Sequence, residues 1–243
     1  MKLDYATLIS PYPFSLTAVG AIKAPTLREI WNPSVTWQTY NLYLQLLLMT
    51  PQTYCGQKDI SMFDLIASEQ NLQNSYEKMF NFFFEETVIW NKENSAFLTF
   101  RKSNGNEEQS LAGIIHRDNF SELCDVILQR CGVSRSDAET DVTNVKNKRA
   151  KEILEKLQRG RQRISKKSTH DKAVDLPNLV TALAVKSNSI NFINIWDLTI
   201  YQFYEQFKKE QANVYFDIQK MSVAAYGNAK NTFKGNEWYK QNL

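Results

Sequence analysis

Cysteine and histidine are scarce in this chain of 243 residues. Cys55, Cys124 and Cys131 are odd in number and none lies in a Cys-x-x-Cys spacing, which speaks against a secreted disulfide framework. His116 and His170 are the only two histidines, so a His-rich metal centre or acid–base pair has almost nothing to be built from. Glycine is sparse as well, with 8 residues and no glycine-rich nucleotide motif to bring backbone N–H groups onto a phosphate. Long apolar runs are missing. Even Leu42 to Met49 is broken by Gln45, well short of the roughly 18 residues a membrane helix needs. The start of the chain meets Asp4 and then the stiff run Ser10 to Phe14 (SPYPF), which predicts no signal peptide and a soluble, cytoplasmic protein with no membrane partner. These absences predict a protein that is not an enzyme and holds neither metal nor cofactor.

What is present is an ordinary globular composition with an uneven charge. Hydrophobic residues make up 43 % of the chain, enough for a core at this length. The net charge of +3 conceals an excess of eleven Lys or Arg over three acids between Asn144 and Lys172, or +8, so the remainder carries −5. Polar stretches flank this basic segment, SRSDAETDVTN at 134–144 and SKKSTHDK at 165–172. They predict three regions: 1–132 as a helical domain, 133–176 as a polar, basic connecting segment, and 177–243 as a helical C-terminal region.

Periodicity fills in the elements. Asn32 followed by Pro33 predicts a helix start, with Trp37, Tyr40, Leu44, Leu47 and Leu48 on its apolar face and Pro51 at its close. Ser61 opens a second helical stretch, which has a weak point at Glu69 and Gln70 before Leu72, Tyr76, Met79 and Phe83 repeat the spacing. Three β-rich runs, Thr87 to Trp90, Ala96 to Phe100 and Leu111 to Ile115, predict an antiparallel meander. Asn119 with Glu122 has capping-box spacing for a helix lined by Phe120, Leu123, Cys124, Ile127 and Cys131 and ended by Gly132. The fold class expected is therefore α+β, mostly α.

The C-terminal region carries the clearest amphipathic pattern. From Trp196 the apolar positions Ile200, Phe203 and Phe207 follow, then Val214, Ile218, Met221 and Ala225, with Glu210 and Gln211 interrupting the stripe. The segment opening at Pro177 (PNLVTALAV) is a packing mate. Such a stripe is either an internal packing face or a partner-binding surface, for which Trp196, Ile200, Phe203, Phe207, Val214 and Ile218 are the candidates.

Other motifs carry less. His116-Arg117-Asp118 matches the opening of the protein-kinase catalytic loop, but the downstream Asn spacing and the Asp-Phe-Gly motif are missing, so the residues read as a helix start. Cys124 and Cys131 lie two turns apart on one helical face and read as buried apolar positions. Phe80, Phe82, Phe83 and Phe84 lack interleaved cations and read as core. The basic patch of Lys148, Arg149, Lys151, Arg159, Arg161, Arg163, Lys166 and Lys167 suits either phosphate neutralisation on nucleic acid or a solvated tether.

The layout of an aromatic-rich helical domain, a Lys/Arg-rich linker and the terminal IWDLTIYQFYEQF of Ile195 to Phe207 resembles tail-assembly chaperones and related morphogenesis proteins of tailed bacteriophages. Ile9 to Pro13 (ISPYP) and Ala24 to Ile30 (APTLREI) are similar to small phage structural-module proteins. The resemblance implies a non-enzymatic factor that binds apolar surfaces of tape-measure or tail-tube proteins in the host cytoplasm. The alternative is a nucleic-acid-associated protein using the 144–172 segment. Trypsin is expected to cut first between Lys146 and Lys172, as followed by intact-mass analysis of a limited digest; first cuts within Thr87 to Ile115 would contradict the three-region division.

Overall fold

A computed structural model of the chain describes residues 1–56, 59–101, 110–133, 176–228 and 233–235. The fold is α+β and mostly helical. Two compact units divide it: Met1–Asp141 with Asp197–Tyr201, and Val142–Trp196 with Gln202–Leu243.

The first unit begins with α1 (Tyr5–Ile9), whose N-terminus is capped by the Asp4 carboxylate accepting from the Thr7 N–H at 2.7 Å. A hairpin of β1 (Phe14–Leu16) and β2 (Gly20–Ile22) follows, paired Phe14 to Ile22 and Leu16 to Gly20. The sequence pattern does not reveal these elements, because strands of three residues are too short to display a period. Its tight turn places Ala18 at φ 60°.

The next helix starts later than expected. A 3₁₀ turn (Glu29–Trp31) precedes it, and Asn32 closes a loop by accepting from the Ser34 and Val35 N–H groups, so Thr36 rather than Asn32 caps α2 (Trp37–Leu48). Pro51 does lie beyond that helix, but as the first residue of a short α3 (Pro51–Cys55) capped by Thr50. Ser61 caps α4 (Met62–Ser68), as its spacing indicates, and the extended backbone of Glu69 separates it from α5 (Gln70–Phe83).

The three β-rich runs form the expected meander, β3 (Thr87–Asn91), β4 (Ala96–Phe100) and β5 (Leu111–Ile115), in the order β3-β4-β5. Helix α5 seals one edge of it. The Asn81 amide exchanges two hydrogen bonds with the Val88 backbone at 2.7 and 2.9 Å, and Glu77 one turn earlier accepts from the Trp90 N–H at 2.8 Å. Two polar side chains thus occupy edge groups that would otherwise recruit another strand. At the opposite edge the hairpin turn docks on β5, where the Ile114 N–H donates to the Ala18 carbonyl at 2.9 Å.

Helix α6 (Arg117–Arg130) buries Phe120, Leu123, Cys124 and Ile127 together, with Cys131 after it, as the spacing predicts. Gly132 ends it at φ 72°. Its start needs correction: the cap is His116, whose Nδ1 accepts from the Asp118 N–H, while Asn119 reaches back to the His116 N–H at 2.9 Å. At the other end the fully buried Arg130 guanidinium donates to the Thr7 and Tyr12 carbonyls and ties down the N-terminal segment.

Aromatic rings fill the middle. Phe80 meets Phe97 edge-on at 5.2 Å and Phe120 at 6.3 Å, and Phe63 meets Phe120 at 5.4 Å, joining α4, α5, α6 and β4. Residues 197–201 enter this unit through a bridge between Thr199 and Thr26, with the Leu27 N–H donating to the Leu198 carbonyl and the Ile200 N–H to the Pro25 carbonyl.

The described elements of the second unit are α7 (Leu176–Lys186), a 3₁₀ turn (Ile195–Asp197) and α8 (Ile200–Tyr226), of which Asp197, Ile200 and Tyr201 count with the first unit. No described helix is long and apolar enough to cross a membrane.

Gly113 offers a direct test of hairpin docking. A Cβ there would fall on the Ala18 carbonyl and the Val19 nitrogen, backbone that cannot move aside alone. Gly113→Ala is expected to lower stability by about 2 kcal/mol, within the range for overpacking, read as a lower urea midpoint at unchanged slope.

Candidate apolar interface on the C-terminal helices

Helix α8 changes character along its length. Ile200 and Phe203 are buried, at 1 % and 0 % exposure, and Phe207 is half-buried. Beyond Phe203 no residue of α8 is buried, and the stripe emerges as Val214, Ile218 and Met221, exposed to 38, 55 and 65 %. Tyr215 and Tyr226 are exposed beside it.

One sequence reading needs correction. Trp196 does not belong to the helical stripe: it sits in the 3₁₀ turn, its indole N–H donating to the Phe192 carbonyl at 2.9 Å, and α8 starts only at Ile200. Glu210 and Gln211 interrupt the apolar stripe but not the helix, which runs unbroken to Tyr226. They line a groove.

That groove holds about 400 Å³ and lies between α7 and α8, bounded by Ala182, Leu183 and Lys186 on one side and by Phe207, Glu210, Gln211 and Val214 on the other. The packing-mate reading of 177–185 thus acquires a location. The α7 residues are absent from the sequence-derived candidates because a period marks one helix face and says nothing of which second helix stands beside it. Phe192 and Ile193 are also exposed, in the loop after α7.

The whole basic patch, Lys148 to Lys167, lies outside the described residues, as does most of the 133–176 segment. The remaining motif residues have local roles. His116 and Asn119 cap α6, and Cys124 is buried. Burial pushes the Cys131 thiol up to about 12, the reverse of what a nucleophilic thiolate needs. Among the described residues no cluster of three or more His, Cys, Asp or Glu is placed to hold a metal ion.

The second unit thus presents a helix pair with an apolar groove and a solvent-facing stripe. Residues 165–242, a third of the chain, match the family described as YomV second domain, a phage-associated family. Both α7 and α8 fall within the matched span. Among curated proteins and solved structures nothing matches the chain.

The two ends of the stripe separate in stability measurements. In dilute protein Ile200→Ala is expected to cost about 2–5 kcal/mol, as for a deep truncation, whereas Ile218→Ala stays within about 0.5 kcal/mol. Thermal unfolding of the two variants reads the difference, and equal large losses would make the entire helix core.

Proposed function

We propose that this protein is a non-enzymatic protein-binding factor in phage tail assembly, one that holds apolar surfaces of tape-measure or tail-tube protein until they assemble. The observation that supports the reading is the coincidence of an exposed apolar groove and stripe with the segment that matches a phage-associated family. Aliphatic side chains presented at helical intervals suit recognition of a partner helix, in which a few buried anchors supply most of the binding energy. The overall layout of the chain, which resembles tail-assembly chaperones, supports the same role.

Coexpression with a tail-tube or tape-measure protein tests this. The tail protein is expected to copurify and to stay bound as salt is raised, because apolar contacts are not screened. Ile218→Asp should weaken capture by about 2 kcal/mol, roughly thirtyfold, with helicity unchanged. Complexes that dissolve with added salt, or that contain nucleic acid in place of the tail protein, would instead favour the basic 144–172 segment as the binding element.

A further inference from the structure

The stripe on α8 has a stricter order than amphipathicity requires. Ile200, Tyr204, Phe207, Gln211, Val214, Ile218, Met221 and Ala225 follow one another at alternating intervals of four and three, which is the a/d seam of a coiled coil with Gln211 as its one polar layer. Its exposed part begins at Gln211, on the rim of the groove with α7, and runs for about 21 Å to Ala225. A face of α8 away from this seam is covered within the chain, where Phe216 meets Phe233 at 5.2 Å. The exposed seam residues Val214, Ile218 and Met221 remain to be covered.

We infer that α8 pairs in parallel with α8 of a second copy, Gln211 against Gln211, making the free protein a homodimer through this seam. This rests on the reading of the same face as an interaction surface and names its occupant before a tail protein arrives.

Charge decides between possible occupants. Lys208, Lys209 and Lys220 balance Glu205, Glu210 and Asp217, so the helix is neutral and has no cationic face for a nucleic acid or an acidic membrane. With Gln211, Ile218 and Ala225 at a, the flanking g positions are Phe203, Glu210, Asp217 and Ala224, and the e positions are Tyr201, Lys208, Tyr215 and Ser222. A parallel pair sets g against the following e: Glu210 meets the Tyr215 hydroxyl of the second copy and Asp217 meets its Ser222 hydroxyl, each carboxylate facing a donor. An antiparallel pair overlapping along the whole stripe sets g against g and brings Glu210 onto Asp217, a like-charge contact. Gln211 adds to the preference, because an amide has both donor and acceptor and satisfies its own twin across a parallel axis. A purely apolar partner would leave that amide unpaired.

Sedimentation equilibrium of the full chain, with Ile218→Asp beside it, tests the pairing. The parent chain is expected to show twice the monomer mass and Ile218→Asp the monomer mass, with identical far-ultraviolet circular dichroism. Orientation is read from Val214→Cys and Met221→Cys, made separately on a Cys55→Ser background in which the remaining cysteines, Cys124 and Cys131, are buried. Each d-position variant should form a covalent dimer in oxidised glutathione. Cross-linking of only one of them, or of neither in a dimeric protein, overturns the parallel register, and a parent chain that stays monomeric, or an Ile218→Asp dimer, overturns the pairing. A monomeric parent that still captures tail-tube protein would leave the proposed function intact while removing this inference. A dimer that captures none would do the opposite.

Discussion

Edge-to-face contact among a few phenyl rings is the constraint to which the first unit answers. Phe80 on α5 touches Phe97 on β4 and Phe120 on α6, and Phe63 on α4 closes the group from another direction. Rings of this size bury about 150–250 Å² each and leave little freedom in their relative angles, so the four elements that carry them are positioned together. Tyr76, within the same cluster, turns its hydroxyl to the Leu46 carbonyl at 2.7 Å and thereby satisfies a group near the end of α2. Elements that are short and individually marginal gain their order from this shared core.

A core of that kind leaves polar backbone at its margins, and the chain answers with side chains placed one at a time. Asn81 and Glu77, four residues apart on one face of α5, complete the hydrogen bonding of β3. Thr99 inside the meander donates to the Val19 carbonyl at 2.6 Å, and Gly113 leaves room for the hairpin backbone to lie against β5. Arg130 spans two carbonyls of the N-terminal segment from a fully buried position. Desolvation there lowers its pKa, and the two short charge-assisted hydrogen bonds offset that burial.

The C-terminal helix follows a different economy. Ile200 is buried just after the bridge of Thr199 to Thr26 and Phe203 is buried as well, while the later turns keep the same apolar spacing with nothing buried. The apolar pattern is continuous while the burial is not, and the change falls after Phe203. The groove with α7 lies just past that change.

Periodicity and cap chemistry were legible in the linear chain wherever an element was long enough to repeat. The meander, the helices beginning after Ser61 and near Asn119, and the full stripe from Ile200 to Ala225 all follow from spacing alone. The hairpin at Phe14–Ile22 was not legible, because three-residue strands owe their form to docking against β5 and to the Ile22 bridge to Phe84. Helix starts shifted for a related reason: Asn32, Thr36, His116 and Asn119 all have capping side chains, and the surrounding contacts choose among them. Spacing likewise placed Ile200 and Ile218 on one stripe and could not say that one is buried and the other bare. A repeat specifies a face, whereas burial depends on which distant segments arrive to cover it, and only the tertiary structure brings Pro25 to Ile200 while leaving Ile218 in water.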